Sequence, residues 1–134
     1  MGSGSQVLFV YSFKYFEADR DLFYSYSADG GATWTKNLPL AGSSLNATDA
    51  SVVADPKLGK FHVVYTEGGN VKYTSVPSTN FGQWSYSVTL SDGNRGAGDL
   101  PPSVAVDWSS DQAGVAWTDT RTATSAIYFD RVDY

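Results

Sequence analysis

An all-β fold of short antiparallel strands is what this sequence predicts, and three observations carry the expectation. Aromatic residues make up 15% of the chain and charged residues only 17%, with 13 glycines and 5 prolines. That balance suits aromatic and β-branched strands joined by turns; helices would draw on more Lys, Glu, Leu and Ala. The apolar segments are short and each ends in turn-forming residues. No window sustains a period of 3.6 over three turns, so no helix is expected.

Taken in order, Gln6–Phe13 is nearly continuous apolar, and Asp21–Ser27 alternates in part. Trp34–Leu40, Ser51–Asp55, Lys60–Thr66, Val71–Val76, Trp84–Leu90, Ser103–Asp107, Ala113–Thr118 and Ala126–Val132 complete ten candidate strands. Gln6–Phe13 and Ala113–Thr118 are apolar on both alternating sets, so the sheets that carry them are expected to be covered on both faces. Met1-Gly-Ser-Gly-Ser5 has no apolar core and reads as an expression leader, leaving residues 6–134 for the fold.

The strands repeat. Ser51-Val-Val-Ala-Asp55 recurs as Ser103-Val-Ala-Val-Asp107, and His62-Val-Val-Tyr-Thr66 recurs at the same spacing as Gly114-Val-Ala-Trp-Thr118. Upstream, Phe9-Val-Tyr-Ser12 matches Val63-Val-Tyr-Thr66. Asp21-Leu-Phe-Tyr24, Asn70-Val-Lys-Tyr73 and Ala126-Ile-Tyr-Phe129 fill the following slot. With the strands of one unit lettered a to d, the chain reads b-c-d, a-b-c-d, a-b-c, in units 6–49, 50–101 and 102–134. Four-stranded antiparallel units repeating at about 50 residues predict a β-propeller, here about 2.5–3 blades per chain. A sandwich with chance similarity is the alternative, and three slots matching in order argue against it.

Between strands c and d of the first unit stands Ser27-Ala-Asp29-Gly30-Gly31-Ala-Thr33-Trp34. Gly30 and Gly31 permit positive φ. The Asp29 carboxylate suits backbone N–H groups inside the turn, and the Ser27 and Thr33 hydroxyls can close its base. Trp34 opens strand d, with its indole free to pack on a neighbouring sheet. The pattern S-x-D-x-G-x-T-W resembles the Asp-box, or bacterial neuraminidase repeat, of sialidase-like β-propellers. In the second unit the slot keeps Trp84 but not the Asp or the paired Gly. The resemblance implies a structural role for Ser27, Asp29, Gly31, Thr33 and Trp34, on the face opposite the ligand site.

That face would be formed by the b–c and d–a loops, whose charged residues are candidates for ligand binding: Glu17, Arg20, Glu67, Arg95, Asp99, Asp119 and Arg121. Arginines set among carboxylates suit a carboxylated or polyhydroxylated sugar. Sialidase chemistry would need an Arg cluster, a Tyr nucleophile activated by Glu and an Asp acid/base. The Phe/Tyr-Arg-Ile-Pro segment typical of that family is absent, and Tyr15 near Glu17 is the one Tyr–Glu neighbour in a loop. No catalytic residue is therefore assigned. The expectation is a non-catalytic, carbohydrate-binding propeller module in an extracellular or cell-surface setting; a fragment or protomer of a sialidase-like glycoside hydrolase is the alternative.

A net charge of −5 argues against nucleic acid or an anionic membrane as partner. No apolar run is long enough for a membrane-spanning helix. With no Cys and the single histidine His62, no metal and no cofactor are expected. An isolated arc of three blades would leave apolar faces open at both ends, so the expected partner is the chain itself, with a homodimer favoured.

Overall fold

The computed structural model describes residues 5–15, 19–41, 45–91, 100–120 and 124–133. These form ten strands: β1 (Val7–Tyr15), β2 (Asp19–Ser27), β3 (Thr35–Ala41), β4 (Ala47–Asp55), β5 (Lys60–Glu67), β6 (Asn70–Pro77), β7 (Val88–Thr89), β8 (Ser103–Asp107), β9 (Gln112–Asp119) and β10 (Ala126–Asp133). The described residues contain no helix. The strands build three antiparallel sheets in chain order: β1-β2-β3, β4-β5-β6-β7 and β8-β9-β10. We refer to them as the first, middle and last sheets.

Alternation along β5 organises the packing. Phe61, Val63 and Tyr65 point to one side and join Leu8, Leu22 and Tyr24 of the first sheet in one apolar cluster. Val64 points to the other side and joins Val104, Val115 and Trp117 of the last sheet in a second cluster. The middle sheet is thus buried on both faces, and its strands β5 and β6 pair without interruption from Lys60↔Pro77 to Glu67↔Asn70. Rings add directional contacts. Tyr26 stacks on Phe81 at 4.3 Å, Tyr24 meets Trp84 edge-on at 5.0 Å, and the Tyr24 hydroxyl donates to the Phe81 carbonyl at 2.9 Å.

Two expectations change. The strand expected over Trp84–Leu90 shrinks to the two residues of β7. Upstream of it, Trp84 turns into the first cluster and Ser85 takes over the pairing with β6. The Ser85 amide donates to the Ser75 carbonyl at 2.8 Å, and the Ser85 hydroxyl accepts the Ser75 amide at 2.9 Å. A side-chain oxygen thereby stands where a ladder carbonyl would. The outer sheets, moreover, are covered on one face only. β9 alternates strictly between buried and half-buried positions, and Phe9 and Phe13 of β1 remain exposed on the far face of the first sheet.

Tyr11, Tyr65 and Trp117 share one repeat position; Tyr65 and Trp117 are buried between sheets, whereas Tyr11 lies on the open face. Trp117→Ala is expected to cost about 3–5 kcal/mol in urea denaturation, because it opens a cavity between the middle and last sheets. The indole nitrogen has no hydrogen-bond partner there, so Trp117→Phe should recover most of the loss. Equal loss in both variants would contradict apolar packing as the source.

Candidate functional site

The hairpins divide their connections between two rims. On one rim β1 gives way to β2, β5 to β6 and β9 to β10, and the chain passes from sheet to sheet. Asn46 knits this rim together: its side-chain oxygen accepts the Arg20 amide at 2.9 Å, and its carbonyl accepts the Gly68 amide at 3.1 Å. Gly68 has φ +56°, a conformation that favours glycine, and a Cβ there would press 2.9 Å from the end of the Leu45 side chain. Farther along, the Ser91 hydroxyl accepts the Val71 amide at 2.9 Å, and the Leu100 amide donates to the Thr118 hydroxyl at 2.7 Å.

Three of the ligand-binding candidates are described, and all three lie on this rim. Arg20 stands at the start of β2, Glu67 at the end of β5 and Asp119 at the end of β9. They are not gathered into one ion-binding cluster. Glu67 turns to Lys72 of its own hairpin at 3.8 Å, and Asp119 is fully buried. Glu17, Arg95, Asp99 and Arg121 lie outside the described residues.

The opposite rim is built from turns that carboxylates close. In the Ser27–Trp34 hairpin, Gly30 and Gly31 take φ +72° and +97°. Asp29 accepts the Thr33 hydroxyl at 2.6 Å, the Thr33 amide at 2.8 Å and the Ser27 hydroxyl at 2.7 Å, while Ser27 Oγ accepts the Gly31 amide at 2.8 Å. These donors, the Thr33 hydroxyl foremost, hold the Asp29 carboxyl down at about 2. The Trp34 indole does not reach a neighbouring sheet. It folds over its own turn and donates to the Gly31 carbonyl at 2.9 Å.

Two further turns of this kind sit on the same rim, at the repeated Asp55 and Asp107. Asp55 accepts the amides of Lys57 and Leu58 at 2.9 and 3.1 Å. Asp107 accepts the Ser109 hydroxyl and amide and the Ser110 hydroxyl, which lower its carboxyl to about 2. The two hairpins meet where Lys57 Nζ donates to the Trp108 carbonyl at 2.8 Å and pairs with Asp111. Sequence reasoning identified Asp55 and Asp107 only as repeat matches. Their place after an alternating strand and before Pro or Trp was the available signal for a turn.

Behind these turns lies a group that residue type alone would nominate for catalysis. The His62 ring sits with Nε2 3.9 Å from the Asp55 carboxylate and with Nδ1 2.7 Å from the Tyr73 hydroxyl. All three side chains are enclosed in the stack, which denies them a substrate. Burial pushes His62 down to about 4 against the pull of Asp55, and pushes Tyr73 up to about 12. The tyrosine therefore keeps its proton; donated to Nδ1, it would leave Nε2–H to face Asp55. Among the described residues no group of three or more His, Asp or Glu is arranged to hold a metal ion. No family model matches the chain, and no curated protein matches it.

Two pH windows follow. A histidine held neutral by burial stabilises the fold above its unfolded value of 6.5, and that contribution is lost as pH falls toward 4, amounting to about 3 kcal/mol. Denaturant titrations at pH 7, 5.5 and 4 should show this slope in the parent protein and a flatter one in His62→Gln. Asp29 and Asp107 act lower: their contribution is present above the ordinary carboxyl value of 3.8 and disappears as pH drops through about 2. Asp29→Ala should lower the melting temperature at pH 7 by a few degrees, and far less at pH 2.

Proposed function

We propose that this chain is a segment of a sialidase-like Asp-box β-propeller: a non-catalytic module that assembles with copies of itself and binds carbohydrate on the rim carrying Arg20, Glu67 and Asp119. One observation carries the reading. The Ser27–Trp34 turn closes through its own Ser, Asp and Thr on the rim opposite the candidate ligand loops, within a stack of meander sheets whose faces repeat. A turn consumed by its own hydrogen bonds serves the scaffold, which leaves recognition to the other rim. The reading carries with it a cell-surface or extracellular setting, where glycans are displayed.

Non-catalytic binding is favoured over hydrolysis by the state of three described acidic groups. Glu67 is engaged by Lys72, Asp119 is buried, and the Asp55–His62–Tyr73 group is sealed from solvent. Propellers close with about four to eight blades, so two copies of three sheets would supply six. The test is a glycan array run beside a fluorogenic sialoside assay on the same preparation. Retention of acidic glycans without turnover, weakened by Arg121→Ala, is the expected result. Turnover abolished by Arg121→Ala would replace the binding module with a glycoside hydrolase.

A further inference from the structure

The two apolar clusters between sheets draw on the same two half-surfaces. The first half comes from strands β2 and β6. Leu22 and Tyr24 of β2 are 0% and 5% exposed and face the middle sheet; Val71 and Tyr73, at the same repeat positions of β6, are 0% and 4% exposed and face the last sheet. The second half comes from β5 and β9. Val63 and Tyr65 face back toward the first sheet, and Val115 and Trp117, at the same positions, face back toward the middle sheet.

Among the described residues one half of each kind is unmatched. In β10 the positions of Leu22 and Tyr24 are held by Ile127 and Phe129, which are 81% and 70% exposed. In β1 the positions of Val63 and Tyr65 are held by Phe9 and Tyr11, and Phe9 is 56% exposed. Side chains buried at both interior interfaces thus recur, still large and apolar, on two faces that no other described residues cover. Exposed aromatic and aliphatic residues clustered in this way mark an interaction surface.

We propose that the open face of the last sheet docks on the open face of the first sheet of a second copy, in the register of the two interior interfaces. The occupant is a second copy because one molecule carries both halves, and each half has the partner type it meets inside the stack. Relief is complementary as well. Ile127 and Phe129 stand over a low floor of Ala105, Gly114 and Ala116, with the Phe129 ring so close to Gly114 that a Cβ there would lie 3.1 Å from it. The first sheet offers instead a row of rings, Phe9 on Tyr11 at 5.3 Å and Tyr11 on Phe23 at 6.2 Å. Beside it lies a depression of about 110 Å³ between Tyr11, Phe13, Phe23 and Asn37. Bulky rings over a floor of small residues, and projecting side chains beside a depression, are how packed sheets interdigitate.

Such an interface is head-to-tail. It closes into a ring if the rotation per copy permits and otherwise propagates as a filament. The proposal rests on the reading of the three sheets as successive units of one propeller, and ring and filament separate the two ideas.

The experiment is multi-angle light scattering and sedimentation of the full chain at micromolar concentration, with Phe9→Glu, Phe129→Glu and, as a second variant on the last sheet, Ile127→Lys. All three residues are exposed in the single chain, so circular dichroism and a cooperative melt should be unchanged. Each variant is expected to weaken assembly about tenfold or more. Mixing Phe9→Glu with Phe129→Glu should restore a dimer, because one copy keeps an intact last sheet and the other an intact first sheet. A parent chain that is monomeric, a loss caused by substitutions on only one face, or no rescue on mixing would overturn the docking. So would a monomeric parent whose Tyr11→Ala variant loses glycan binding, since the aromatic face would then be a sugar platform. Negative-stain images tell the two ideas apart: closed rings support both, whereas open filaments with intact rescue leave the docking standing and remove the propeller.

Discussion

The rest of the structure depends on one strand serving two interfaces. β5 presents Phe61, Val63 and Tyr65 to one side and Val64 to the other, and its neighbour β6 places Val71 and Tyr73 beside Val64. A sheet buried on both faces cannot alternate apolar and polar residues, which is why this segment reads as an almost unbroken apolar run. Its buried polar side chains carry a desolvation cost. His62, set among apolar neighbours on β5, is held by Tyr73 and Asp55, and the cost of charging it there links the middle sheet to pH.

Around that double interface the two rims use polar chemistry differently. On one, carboxylates at the ends of strands accept the amides and hydroxyls of the next few residues, so that Asp29, Asp55 and Asp107 each close a turn locally. On the other, bonds run between hairpins: Asn46 joins Arg20 to Gly68, and Thr118 holds Leu100. Local closure shapes each turn, and single bonds such as Lys57 to the Trp108 carbonyl and Gly30 to the Ser5 carbonyl then tie the turns to other segments. Closure between hairpins instead couples the placement of one loop to its neighbours, a property suited to a surface that must present several loops at once.

The open outer faces follow from the same periodicity that builds the interior. A repeat makes equivalent side chains equivalent in direction, so a residue that is core in one unit is surface in the unit with no neighbour. Phe9 and Phe129 are exposed for that reason and not because their positions are intrinsically superficial. The rim carrying Arg20, Glu67 and Asp119 lies at the strand ends, away from the open sheet faces that carry Phe9 and Phe129.

Ten strands in three antiparallel groups were legible in the sequence because turn residues end each apolar run and the repeat aligns the runs. The Ser27–Trp34 turn was legible because its closing chemistry is local: the side-chain bonds that shape it lie within the segment, while the Gly30 amide reaches outside it to the Ser5 carbonyl. The tertiary structure alone decided which face of each sheet is covered. Gln6–Phe13 and Lys60–Thr66 are similarly apolar, yet only the latter has a sheet on either side. It likewise decided that Trp84 enters the core while Trp34 folds back on its turn, and that Asp119, in a loop by sequence, is buried at a strand end. Side-chain alternation specifies two faces for a strand; what lies against each of them depends on residues distant in the chain.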